Sequence, residues 1–240
     1  INTNLASLNS QRVLELSRFQ LGKSITRLSS GIKINGASDG AAELALTEGI
    51  RSDVQALKQG ARNLSDGQSL IRTAEGALSE VSSILIRLRS LASQAANGTV
   101  GDDERQTVNL EYQNLVSELD RISSVTEFLG TQLLDGSLAD SAAEHLVLQL
   151  GVDSSSDNQI DLNAEIDLTE VSSSALNLGD SNLNTQGGAF LALNDLTVAI
   201  DGLIDNRAKV GSVEVRLTSA LNSINSQIEN LTAAVATIRD

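Results

Sequence analysis

Leu64-Ser65-Asp66-Gly67-Gln68-Ser69-Leu70-Ile71-Arg72-Thr73-Ala74-Glu75-Gly76-Ala77-Leu78 carries the repeat that decides the fold. Leu64, Ile71 and Leu78 stand seven apart. The line runs on through Leu57 and Ile50 on one side, and through Leu85 and Ala92 on the other. A companion apolar line lies four residues after it at Val54 and Ala61, then three residues after it at Ala74, Val81, Leu88 and Ala95. Two apolar lines of period seven form the seam of a helix that packs on another helix. The change of flank predicts a local shift in packing near Ser65-Asp66-Gly67. A helix over residues 41–97 would be roughly 80 Å long at 1.5 Å per residue, too long for a compact ball. It needs a neighbouring helix along its length.

The C-terminal third offers one. Leu196, Leu203, Val210, Leu217, Ile224, Leu231 and Ile238 repeat at seven, with Ile200, Leu221, Ile228 and Val235 as a second line. Arg207 and Glu214 occupy that second line, where they set register, face a partner's charge or simply meet solvent. Shorter seams appear at Leu14, Leu21, Ile25, Leu28 and Ile32, and at Val108, Tyr112, Leu115, Leu119 and Ile122. Asn97 to Gly101 reads as a turn, and Asp102-Asp103 as a cap with negative charge at the next helix start. Helices are therefore expected over about 41–97, 102–124 and 189–240.

Between about 131 and 170 the period falls to two. Leu146, Leu148, Leu150 and Val152 alternate, as do Ile160, Leu162, Ala164, Ile166 and Leu168, with polar Asp153 to Gln159 between them. This predicts a β-hairpin. Residues 172–188, rich in Ser, Asn and Gly, read as a connector. The fold class is mainly α: an elongated rod of long antiparallel, coiled-coil-like helices with a small β-hairpin region.

Composition agrees. Proline is absent, so no helix must kink for want of a donor. One Tyr, three Phe and no Trp leave the core to Leu, Ile, Val and Ala. With 17 basic against 31 acidic residues the net charge is −14, which disfavours nucleic acid and anionic membrane as partners. No run of 18 apolar residues is present, so no bilayer span is expected, and no cleaved secretory signal is read at Ile1. Zero cysteines excludes disulfides and thiolate chemistry.

Candidate reactive groups are few. His145, the single histidine, has no nucleophile motif or paired ligand near it in sequence and reads as a strand-end side chain. Asp153 to Asn158 suggests a calcium loop, but Asn158 stands where glycine is required and Ala164 where the bidentate Glu belongs. The triplets at Asn63, Asn97 and Asn230 match the glycosylation minimum, which chance alone supplies. No cofactor and no enzymatic activity are expected.

Local sequence words add a family. Ile1-Asn2-Thr3-Asn4, then Arg27-Leu28-Ser29-Ser30-Gly31-Ile32-Lys33-Ile34-Asn35 and Ala37-Ser38-Asp39-Gly40-Ala41-Ala42, closely resemble the N-terminal signature of bacterial flagellins. Gly40 departs, since most relatives carry a second acidic residue there. Ala61 to Gly67, Thr73 to Leu78, Leu119 to Ile122 and Asn230 to Ala234 match in order. The resemblance implies a filament subunit that self-assembles with other flagellin subunits for motility. It also implies the flagellar cap, junction proteins and an export chaperone as partners, and an extracellular location reached by the flagellar type III route without a cleaved signal. Residues 1–40 would form an inner-core helix and spoke segment, and residues 41–240 a core domain without the variable outer domains. The chain stops where relatives continue into a C-terminal helix. The stripe Leu14, Leu21, Ile25 and Leu28 is then expected to be exposed, and these 240 residues to stay monomeric or form small oligomers. Arg87, Leu91, Gln94 and Glu111 match the surface recognised by the vertebrate innate flagellin receptor, with Ser90 and Leu115 departing from it. The alternatives are a hook–filament junction protein, which usually carries a proline after the Ser-Asp-Asp stretch, and a chemoreceptor-like signalling hairpin, which would lack the β pattern.

Overall fold

The computed structural model describes residues 4–239. Among these, five α-helices alternate with two small antiparallel sheets: α1 (Leu5–Ser30), α2 (Ala41–Ala96), α3 (Asp102–Val125), β1 (Glu127–Phe128), β2 (Thr131–Gln132), β3 (Val147–Gln149), β4 (Gln159–Asp161), α4 (Leu162–Ile166) and α5 (Gln186–Arg239). The fold is mainly α, as the heptad lines require. The chain divides into two units. One holds residues up to Lys58 with those from Asn225 on, and the other holds Gln59–Ile224.

In the first unit, α1 opens on Asn4, whose side chain accepts from Ser7 N–H at 3.2 Å, and closes on Gly31. Gly31 adopts φ +70, where a Cβ would be strained, and its N–H returns to Arg27 C=O at 2.9 Å. The following turn is pinned by Asp39. Lys23 reaches its carboxylate at 2.9 Å and Arg27 at 3.4 Å, and the Lys23 hydrogen bond holds the Asp39 carboxyl below its usual range. Ile34 is buried, and the N–H groups of Lys33 and Ile34 both donate to Arg239 C=O. The Arg27–Gly40 word therefore encodes one helix end and the turn that locks it.

In the second unit, α2 and α5 run antiparallel. Glu75 faces Arg207, Arg72 faces Glu214, and Gln68 Nε2 donates to Thr218 Oγ1 at 3.1 Å. Leu64, Ile71, Leu78, Leu85 and Ala92 are all buried, and so are Gly67, Ala74, Val81, Leu88 and Ala95 on the flank three residues on. On α5 the main line is buried from Leu196 to Ile224, but its buried companions are Ala199 and Val213 rather than the line through Ile200 and Leu221. The reason is electrostatic and steric. The line through Ile200 also carries Arg207 and Glu214, which keep their heads in water while pairing with α2, so the small Ala199 and Val213 take the close contact. α3 packs through Val108, Tyr112, Val116, Leu119 and Ile122. Its N-cap is Gly101, and Asp102, Asp103 and Glu104 form an acidic first turn instead of the expected side-chain cap. Arg105, buried, donates to Ala95 and Asn97 carbonyls and so satisfies the end of α2.

The β region follows only half of the alternating pattern. β3 and β4 pair with Leu148 opposite Ile160, but residues 162–166 are helix, not strand. Asp161 causes the break: its carboxylate accepts from the N–H groups of Asn163 and Ala164 and starts α4. Leu162 and Ile166, four apart, satisfy a helix as well as an alternation, and both are buried while Ala164 is exposed. Asn163, fully buried, donates to Ser137 and Ala139 carbonyls and accepts from Leu146 N–H, tying the loop together. A further hairpin, β1–β2, turns on Leu129 (φ +51) and Gly130 (φ +85), both left-handed. Such turns favour Asn-Gly, and a leucine held there costs about 1–2 kcal/mol. Two-residue strands are too short to show alternation in the sequence.

β3 and the residue after it dock on α2 across Gly60 to Gly67, so the buried flank changes by Gly60, earlier than the sequence pattern places it. An added Cβ at Gly60 would collide with the backbone carbonyl of Leu150, and one at Gly67 with Leu148 Cδ1. Between them Asn63 Nδ2 donates to Gln149 O at 2.8 Å. Two glycine notches, two helical turns apart, thus seat the strand on the helix. Gly60→Ala is expected to lower the stability of this unit by about 1–3 kcal/mol in urea unfolding, as overpacking against rigid backbone does. Gly76→Ala, where a Cβ meets nothing within 4 Å, is expected to raise it by about 0.5–1 kcal/mol.

Candidate assembly surfaces

α1 buries none of its side chains. Leu14, Leu21, Ile25 and Leu28 are 53–87% exposed, and Leu5, Leu8, Val13, Leu16 and Phe19 join them. Its polar anchors are few: besides the ion pairs to Asp39, Lys23 lies 5.6 Å over the Phe19 ring. A helix with nine large apolar side chains in water is unfavourable by itself, and exposed apolar surface on this scale marks an interaction site.

The α2–α3 face is polar. Arg87 Nε donates to Glu111 Oε1 at 2.8 Å, joining two helices through an exposed pair. Gln94 is exposed on the same helix as Arg87. Leu91 is not part of this surface: it is 2% exposed, because it falls on the apolar side that α2 turns inward next to Ala92 and Leu88. Ile86 and Leu110, which the sequence does not single out, are exposed apolar residues next to Arg87 and Glu111 in the chain.

Arg207 and Glu214 face charges of the opposite sign. Arg207 Nε reaches Glu75 Oε1 at 3.0 Å and Arg72 Nε reaches Glu214 Oε1 at 3.1 Å, with the order of charge reversed between the two pairs. A one-turn slip of α5 would lose both, so they set register. Toward the loop, Lys209 pairs with Asp167 and Arg216 with Glu165. Asp120 accepts from both the N–H and the hydroxyl of Ser173, at 2.7 and 2.8 Å, which holds the 172–188 connector on α3.

The two candidate reactive sites resolve into local structure. Asp153 accepts from Ser155 N–H and Asn158 Nδ2, closing the loop on itself. His145 Nδ1 lies 2.6 Å from Asp161 Oδ2, and its Nε2 lies 3.1 Å from Asp140 O. The Asp161 hydrogen bond holds the imidazole above its usual range, desolvation opposes it, and Asp140 adds to it. Burial pushes the Asp161 carboxyl up, but His145 and the α4 N–H groups outweigh it and leave it low. Among the described residues no group of three or more His, Asp or Glu is placed to hold a metal ion. α5 does contain an 18-residue window of mean hydropathy 1.3, apolar enough by composition to cross a membrane. No unbroken apolar run underlies it: Ala, Leu, Ile and Val interspersed with small polar residues reach that average without one. Along the second unit this helix buries its apolar line against protein.

The class that this fold defines is a mainly helical protein of long seamed helices, one of which leaves an apolar face exposed. Residues 1–139 match the bacterial flagellin N-terminal helical region, and residues 193–240 match the bacterial flagellin C-terminal helical region. The chain belongs to the bacterial flagellin family. It is 37% identical to a flagellin of Halalkalibacterium halodurans over its whole length, covering 85% of that protein, and 35% identical to a flagellin of Bacillus subtilis, covering 86%. Among solved structures, the Bacillus cereus flagellin superposes on 72% of this chain and 94% of its own with a TM-score of 0.57 at 34% identity. The family is structural rather than enzymatic, and the chain is a subunit of the extracellular bacterial flagellar filament, which it forms with other flagellin subunits.

Two outcomes test the local electrostatics. Arg207→Glu is expected to lower stability by about 0.5–1 kcal/mol, the pair being one-third exposed and screened. Glu75→Arg with Arg207→Glu is expected to restore it, as read by urea midpoints. Because the folded state favours protonated His145, its contribution is complete below the unfolded value of 6.5 and is lost as pH rises through the higher folded value. The urea midpoint is therefore expected to fall as pH rises above about 6.5, and His145→Gln to flatten that slope.

Proposed function

We propose that filament subunits carrying this sequence polymerise by burying the α1 stripe of Leu14, Leu21, Ile25 and Leu28 in the filament interior, with residues 41–240 contributing to the packed wall. The observation that carries this reading is the exposure of nine large apolar side chains on a helix that buries none. A net charge of −14 makes copies repel at long range, so a contact of this kind must be apolar and close. Ile86 and Leu110, next to Arg87 and Glu111 in the chain, supply a second contact face between subunits. The family resemblance supports export by the flagellar type III route, and contacts with the flagellar cap, junction proteins and an export chaperone.

The same α2–α3 face supports a second reading, recognition by the vertebrate innate flagellin receptor. Its basis is the exposed Arg87–Glu111 pair with Gln94, a rigid polar patch held across two helices. Such a patch is available only on subunits outside the filament if the wall also uses it.

In cells carrying the variant as their sole flagellin, Leu21→Glu with Ile25→Glu is expected to abolish filaments in electron micrographs. The purified variant should keep the thermal unfolding midpoint of the parent, because neither side chain is buried. Normal filaments from that variant would contradict the assembly reading. For the receptor, reporter cells should respond to the intact chain and lose at least about tenfold in potency with Arg87→Ala or Glu111→Ala, consistent with loss of a contact worth about 1.4 kcal/mol. Silence toward the intact chain would remove that reading.

A further inference from the structure

The β1–β2 turn presents Leu129 with 88% of its surface exposed and φ at +51. Each property is unfavourable for the isolated chain. A left-handed leucine is strained, a large apolar tip in water gains nothing, and a side chain this exposed has almost no intramolecular contact to offset either. Glu127, two residues earlier at the start of β1, is also exposed. Leu129 is thus an apolar knob with an acidic flank.

The matching shape lies in the unit that holds α1. A hollow of about 190 Å³ is lined by Arg51, Val54, Gln55, Lys58, Thr232 and Val235. Val54 is buried at its floor and Val235 half-buried at its side, while Arg51 and Lys58 give the rim positive charge. Arg51 is engaged by Glu48 at 2.7 Å, so Lys58 is the cation that an incoming carboxylate would meet.

We propose that Leu129 of one copy seats in the Val54–Val235 hollow of a second copy, with Glu127 against Lys58. The contact joins two different patches, so each copy offers both a knob and a hollow. Contacts of this heterologous kind propagate into open helical arrays rather than closing into dimers. Charge complementarity selects the occupant: in a chain of net charge −14, an acidic knob and a cationic-rimmed apolar hollow attract locally where the copies otherwise repel. The strain at Leu129 is then maintained by assembly and not by folding. This inference rests on the filament reading, which filaments of the unaltered chain test independently.

The absence of cysteine from the sequence gives a direct test. Cells co-expressing Leu129→Cys and Gln55→Cys chains should yield filaments in which mild oxidation produces a covalent dimer, while dissolved monomers of the same pair give none. In parallel, Leu129→Asn should raise the thermal midpoint of the monomer by about 2–4 °C, since asparagine suits a left-handed turn. The same variant should raise the critical concentration for filament growth by at least about tenfold, the loss of one buried aliphatic contact. Opposite signs on monomer and filament identify a residue kept for contact. Filaments without the cross-linked dimer would overturn the proposal, and so would a Leu129→Asn chain that is more stable yet assembles as well as the parent.

Discussion

The antiparallel seam between α2 and α5 is the constraint on which the second unit depends. Its main lines bury Leu64 to Ala92 on one helix and Leu196 to Ile224 on the other. At about 25 cal/mol per Å² of apolar surface, rows of Leu, Ile and Val supply most of the driving force with almost no aromatic contribution. Apolar rows do not choose register by themselves, since a slip of one whole repeat would bury similar side chains. The reversed pairs Glu75–Arg207 and Arg72–Glu214 make that choice, and Gln68–Thr218 agrees with them. With register set, Gly60 and Gly67 stand at the right places to receive β3, and Arg105 closes the end of α2.

Much of this was legible in the sequence because period seven is a direct consequence of helix geometry. Every residue of the α2 main line from Leu64 to Ala92 is buried, while the flank three residues on is already buried at Gly60, ahead of the change expected at Ser65-Asp66-Gly67. The reading failed where one pattern served two geometries. Leu162 and Ile166 fit a strand's alternation and a helix's four-residue spacing, and only the capping carboxylate of Asp161 decides between them. The companion line on α5 differs for a related reason: hydrophobicity favours Ile200 and Leu221, whereas close approach favours Ala199 and Val213. Leu91 shows the limit of transferring a surface by sequence words. Its position matches, but its side chain belongs to the core. Asn163, Arg105 and Asp120 left no periodic signal at all, because a polar residue that satisfies backbone groups is invisible until the backbone is placed.

Stability and function occupy different surfaces of the molecule. The seam of the second unit is satisfied within the chain, with hydrogen-bonded loops and paired charges around it. α1 is the reverse, a well-capped helix whose apolar face is left in water. A capped helix without tertiary burial is marginal in water, so its order and its burial should arrive together when copies pack. In the proposed assembly, a net charge of −14 holds separate copies apart until that contact is made.

Hydrogen exchange compared between monomer and filament measures this division most directly. The account predicts that amides of α2 and α5 within residues 59–224 exchange only through global unfolding in both states. It predicts that amides of α1 exchange rapidly in the monomer and become protected in the filament. Protection of α1 in the isolated monomer, or its continued rapid exchange in the filament, would contradict the claim that this helix is completed by assembly.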